Sequence, residues 1–68
     1  MNPVQFEAIS KLMRMKESKA KTAARLVLVD GVKIGDAARQ VGSPYKDAHQ
    51  AVERVKSAIE LAKVATGA

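Results

Sequence analysis

The residues with the most chemical content in this chain of 68 residues stand close together: Tyr45, Lys46, His49, Gln50 and Glu53. If the segment is helical they share a face, because residues three and four apart are neighbours on a helix surface. The set is not a catalytic one. With one histidine, no cysteine and no clustered carboxylates, nucleophilic and metal-assisted reactions lack candidate groups. No catalytic residue, no metal site and no cofactor is therefore expected, and the chain does not read as an enzyme. Amides, imidazoles and lysines are instead what contacts the edges of base pairs. Gln50 can pair bidentately with adenine N6 and N7, Lys46 suits a guanine edge or a phosphate, and Tyr45 and His49 suit bases or phosphates. Glu53 repels phosphate unless it accepts from cytosine N4, so a structural pairing with Arg54 or Lys56 is the expectation.

For these side chains to reach DNA, a specific piece of backbone must present them, and Ile34 to Glu53 has the pattern for it. Two helices meeting steeply across a three- or four-residue turn need a small residue where they cross. They also need a residue free to take positive φ four positions later. Ala38 and Gly42 stand at those places, and Ala37, Val41, Ala48, Ala51 and Val52 fall where apolar contacts to the rest of the domain are required. Pro44, Tyr45, Lys46, His49, Gln50 and Glu53 are then left on the outer face of the second helix. That is the face a helix-turn-helix turns toward the major groove.

Charge points to the same kind of partner. Twelve Lys and Arg against seven Asp and Glu give a formal charge of +5, which favours a polyanion because each phosphate neutralised releases condensed counterions. Lys11, Arg14, Lys16, Lys19, Lys21 and Arg25 lie within fifteen residues, with Glu17 the single acid among them. Cations near helix starts are well placed for phosphates, so Lys16, Lys19 and Lys21 are phosphate candidates, with Ser43 and Arg54 beside the reading helix. One Phe, one Tyr and no Trp leave little for stacking on single-stranded bases. No apolar run reaches the 18 or more residues that span a bilayer, and MNPVQFEAIS lacks the basic and apolar regions of a signal peptide. No membrane partner is expected, and the expected location is the bacterial cytoplasm, in association with nucleoid or plasmid.

Local signals divide the chain into four helices with no sheet, a single domain over residues 1–68. Asn2 caps the first helix and Pro3 opens it, where its missing N–H costs nothing. Phe6, Ile9, Leu12 and Met13 recur along this helix as an apolar face. The segment Met15–Ser18 breaks that pattern, and Met13 and Met15 read as gap-fillers. Ser18 caps a second helix whose stripe is Ala20, Ala23, Ala24, Val27 and Leu28. Leu26–Val29 has strand-like composition but no second strand to pair with, and Asp30-Gly31 closes the element. A third helix runs from Ile34 to Val41 and stops at Gly42. A fourth starts at Ser43-Pro44 and continues to about Val64 with a stripe of Ala48, Val52, Val55, Ile59 and Ala62. Leu61 and Val64 widen its apolar surface and, with Ile59, are the candidate homodimer contact. Thr66-Gly67-Ala68 is expected to fray.

Three strings in this frame carry a family resemblance: Gln5-Phe6-Glu7-Ala8-Ile9, Leu26-Val27-Leu28-Val29-Asp30-Gly31 and Gln50-Ala51-Val52-Glu53-Arg54-Val55. Over about residues 4 to 59 the chain resembles the KorA (TrfB) family of plasmid transcriptional repressors. The resemblance implies a helix-turn-helix repressor that binds a palindromic double-stranded operator as a dimer and silences plasmid maintenance or transfer genes. By position, Gln50 matches a glutamine on the family's recognition helix and Arg54 an arginine one turn further along. Two other functions fit the residues themselves: a helical protein-interaction module docking through the final helix, and a non-specific DNA-coating protein.

Overall fold

A computed structural model of the chain describes residues 1–65, of which Val64 and Ala65 are described by backbone alone. The described chain is all-helical: α1 (Pro3–Leu12), α2 (Lys19–Leu28), α3 (Ile34–Val41) and α4 (Tyr45–Ala65), with no strand among the described residues. Leu26, Val27 and Leu28 of the strand-like run form the end of α2, with Val29 still right-handed at its cap.

The helix starts follow the local chemistry. Asn2 Oδ1 accepts from the Gln5 N–H at 2.8 Å while Gln5 Oε1 accepts from the Asn2 N–H at 3.2 Å, a reciprocal capping box. Ser18 Oγ accepts from the Lys21 N–H at 3.1 Å to begin α2. The fourth helix differs from expectation by one position, since it begins at Tyr45 rather than Pro44. Pro44 offers its carbonyl to the Ala48 N–H at 3.1 Å, and Ser43 Oγ donates to the same carbonyl at 3.1 Å.

Two helices end on the same backbone device. At the end of α3 the Gly42 N–H donates to the Arg39 carbonyl at 3.3 Å and the Ser43 N–H to the Ala38 carbonyl at 2.9 Å, with Gly42 left-handed at φ 71°. This Schellman arrangement satisfies carbonyls that a helix end otherwise leaves without donors. The end of α1 repeats it, with the Arg14 N–H on the Lys11 carbonyl at 3.1 Å and the Met15 N–H on the Ser10 carbonyl at 3.0 Å. There the left-handed position is held by Arg14, at φ 54°, with no glycine to ease it.

The core has two parts. Phe6, Ala24, Ala51, Val52 and Val55 form one, with Ile9, Met13, Met15 and Ile59 packed against it. Ala23, Ala37, Ala38 and Ala48 form the other, with Leu26, Val32 and Val41 around it, and Val27 and Ile34 touch both. The face of α1 is therefore Phe6, Ile9, Ser10 and Met13, not the one containing Leu12, which is 83% exposed. Leu12 lies six residues from Phe6, well off the three-and-four spacing that keeps a stripe on one side. Ser10 is buried in its place, its hydroxyl satisfied by the Glu7 carbonyl at 3.0 Å.

At 1.5 Å per residue α4 is about 31 Å long, and it sets the longest dimension of a molecule measuring 37 × 21 × 20 Å. Its apolar stripe runs out before its end: Ile59 is half-buried, but Leu61 and Ala62 are exposed. Of the expected dimer contact, Ile59 packs on the core, Leu61 is free of it, and the Val64 side chain lies outside the described residues, as do Thr66, Gly67 and Ala68.

Two glycine substitutions test the helix ends with opposite signs. Gly35 is helical and has nothing within 4 Å of an added Cβ, whereas Gly42 is left-handed. Thermal unfolding should show Gly35→Ala stabilised by about 0.5–1 kcal/mol and Gly42→Ala destabilised by about 1–2 kcal/mol. Stabilisation by both would mean that the α3 end does not close as described.

Candidate nucleic-acid interface

The three-residue connection Gly42-Ser43-Pro44 joins α3 to α4, and the contact beneath it is made almost wholly of methyl groups. Ala37, Ala38 and Ala48 are buried against Ala23 of α2. The larger Leu26, Val27, Val32, Ile34 and Val41 pack around these small side chains. The buried side of α4 is Ala48, Ala51, Val52 and Val55. The opposite side exposes Tyr45, Lys46, His49, Gln50 and Glu53 together, five of the six residues expected there, while the sixth, Pro44, is exposed in the turn just before the helix.

Along this outer face the side chains are partly organised by one another. The Tyr45 and His49 rings stack with centroids 6.1 Å apart and planes inclined by 22°. His49 Nε2 lies 3.8 Å from Glu53 Oε1. Glu53 thus has His49 as its neighbour, in place of the expected Arg54 or Lys56. The resulting row, Tyr45–His49–Glu53, runs along successive turns, with Lys46 and Gln50 on the adjoining row. Lys46 and Gln50 make no side-chain hydrogen bond or ion pair within the described residues.

The phosphate candidates fall into different settings. Lys16 is exposed in the α1–α2 connection, and Arg54 is exposed one turn beyond Gln50 on α4. Lys19 reaches the α3–α4 turn, its Nζ 3.7 Å from where a Cβ on Gly42 would be. A cation there also faces the carbonyl end of α3, a favourable position in the helix dipole. Lys21 is only 8% exposed, with its stem buried and its ammonium paired with Glu17. Its charge already has a carboxylate partner. Ser43 is half-buried, and both its N–H and its hydroxyl are spent on closing the turn.

One residue missing from the sequence-derived set belongs with this group. Arg14, Lys16, Ser18, Lys21 and Arg54 line a single surface concavity together with Met15 and Ala51. Nothing in the run Leu12-Met13-Arg14-Met15 signals this, because a left-handed conformation at a non-glycine residue leaves no mark in composition. The concavity arises from the backbone reversal at Arg14, which sends residues 15–18 back toward α4.

Among the described residues no group of three or more His, Asp and Glu side chains converges as a metal site. No helix there is long and apolar enough to cross a membrane. Compared with family models, with curated proteins and with solved structures, the chain matches none.

The alanine contact is what aims the outer face of α4, so enlarging it should disturb that face from behind. Ala38→Leu should lose about 1–3 kcal/mol through overpacking and shift the amide resonances of residues 45–53. Gln40→Leu, on the exposed side of α3, should leave both unchanged. A silent Ala38→Leu would show that α3 does not position α4.

Proposed function

We propose that the chain is a sequence-specific double-stranded DNA-binding protein that acts as a transcriptional repressor and reads its operator with the outer face of α4. The observation that carries this reading is the division of α4. Apolar groups are buried on one side, and the other exposes a row of base-reading types flanked by the cations Lys16, Lys19 and Arg54. Gln50 and Lys46 supply direct readout in the major groove, with Tyr45 and His49 beside them. Glu53, beside His49, excludes phosphate from the centre of the face and leaves the backbone contacts to its margins. Lys16, Lys19 and Arg54 occupy those margins.

The resemblance to KorA-type repressors adds a regulatory setting: plasmid maintenance or transfer genes, and a palindromic operator occupied by a homodimer in the cytoplasm. One module of this size contacts few base pairs, so two half-sites about one helical turn apart suit tight control. The part of α4 carrying Leu61, 70% exposed, is the surface through which two copies would meet.

Retention of genomic fragments in the presence of competitor DNA tests the reading. A discrete retained fragment supports it, uniform retention supports DNA coating, and no retention supports an interaction module. On the retained fragment, Gln50→Ala should cost about 1–3 kcal/mol and relax preference at one base position. Lys19→Ala should weaken operator and random DNA alike and lower the salt-dependence slope by about one. An unchanged ratio of operator to random-DNA affinity in Gln50→Ala would remove Gln50 from the reading face.

A further inference from the structure

We infer that the concavity between the α1–α2 connection and α4 is a built phosphate pocket, with Arg14 as its clamp, and that it seats one backbone phosphodiester of the bound duplex. The inference rests on the DNA-binding reading for its ligand, but the pocket stands on its own observations. Four cations, Arg14, Lys16, Lys21 and Arg54, line one concave surface. Among the described residues only Lys21 of the four has a carboxylate, Glu17. The Arg14 and Arg54 guanidinium groups and the Lys16 ammonium have no hydrogen bond or ion pair within the described residues. Three unneutralised positive charges therefore share a concave surface that Met15 and Ala51 also line. Low-dielectric walls lined by one sign of charge focus the field, and the mutual repulsion of the cations is relieved when an anion enters.

The ligand class follows from the donors. Guanidinium groups present parallel N–H donors that match two oxygens of a phosphate, and here one stands on each side of the cleft. Ser18 Oγ accepts from the Lys21 N–H, which leaves its hydroxyl hydrogen to donate into the same space. Because every free polar group is a donor, the set fits an oxyanion and not a metal cation, and on a bound duplex that oxyanion is a backbone phosphodiester.

Arg14 carries the strongest indication. It occupies the left-handed region at φ 54°, where glycine would be easier by the absence of Cβ strain. A stabler residue exists for that position, and the arginine side chain opens on the pocket. Strain held at a ligand-facing residue is how binding sites commonly keep a group in place. Arg54 lies one helical turn beyond Gln50, so a phosphate seated here fixes how far along the groove α4 sits and which base Gln50 meets.

The test uses the full chain and two probes, inorganic phosphate and a duplex, with amide resonances and binding anisotropy as readouts. Inorganic phosphate should shift residues 14–18, 51 and 54 saturably. Arg14→Gly keeps the turn and removes the guanidinium, so its unfolding temperature should rise by a few degrees while both ligands bind about tenfold more weakly. Its salt slope on duplex should fall by about 0.9. Arg54→Gln should weaken phosphate in the same way, and Lys33→Gln, which removes equal charge away from the pocket, should not. The inference is overturned if phosphate shifts scatter over all lysines without saturation, or if Lys33→Gln costs as much as Arg14→Gly. It is equally overturned if phosphatidylglycerol vesicles displace phosphate and duplex does not. A saturable pocket in a protein whose Gln50→Ala variant keeps its operator preference would sustain the pocket and sink only the base-reading assignment.

Discussion

How closely α2, α3 and α4 approach one another governs what this small protein can present. At their meeting point the side chains are Ala23, Ala37, Ala38 and Ala48, and a methyl group is the largest thing any of them inserts. Packed helices sit about 8–10 Å apart depending on the residues between them, and an alanine contact lies at the close end of that range. Closeness is what lets Gly42-Ser43-Pro44 bridge the two helices, and the left-handed Gly42 sends the chain straight into α4. This contact holds the beginning of α4 and so aims its outer face.

Such a contact contributes geometry more than stability, since alanines remove little apolar surface from water. The larger share of burial comes from the neighbouring cluster around Phe6 and Val55, both fully buried. Full burial of side chains of that size contributes about 1.5–3 kcal/mol each. Val27 and Ile34 touch both clusters, so the stabilising half and the aiming half are mechanically one body. The accessible surface of 4690 Å² exceeds the about 4,200 Å² expected of a compact monomer of this length.

Charge is distributed with the same economy. Three of the seven acids lie beside a basic side chain three or four residues away: Glu17 with Lys21, Asp36 with Arg39, Glu53 beside His49. Exposed pairs of this kind contribute little to stability, but they decide which cations stay unneutralised. Arg14, Lys16 and Arg54 are left together at one cleft, next to the row that carries Gln50. Lys11, Arg25, Lys33 and Lys56 remain exposed elsewhere on the surface.

Much of this was legible in the residues. Asn2-Pro3 and Ser18 announce helix starts because their side chains replace missing backbone partners, and Gly31 and Gly42 announce helix ends because they alone tolerate positive φ cheaply. Ala38, Gly42 and the polar row from Tyr45 to Glu53 followed from helical spacing. These are local properties, set within four or five residues, and a sequence determines them by itself. Tertiary contact decided the rest. Ser10 is inside and Leu12 outside because α1 turns the Phe6 side toward α4. Lys21 is buried and paired where Lys16 is free. Arg14 bends the chain left-handed against its own preference. The pocket joins residues 14–18 to residues 51 and 54, more than thirty positions away. Such a meeting depends on the sum of all the packing energies, and no window of the chain contains that sum.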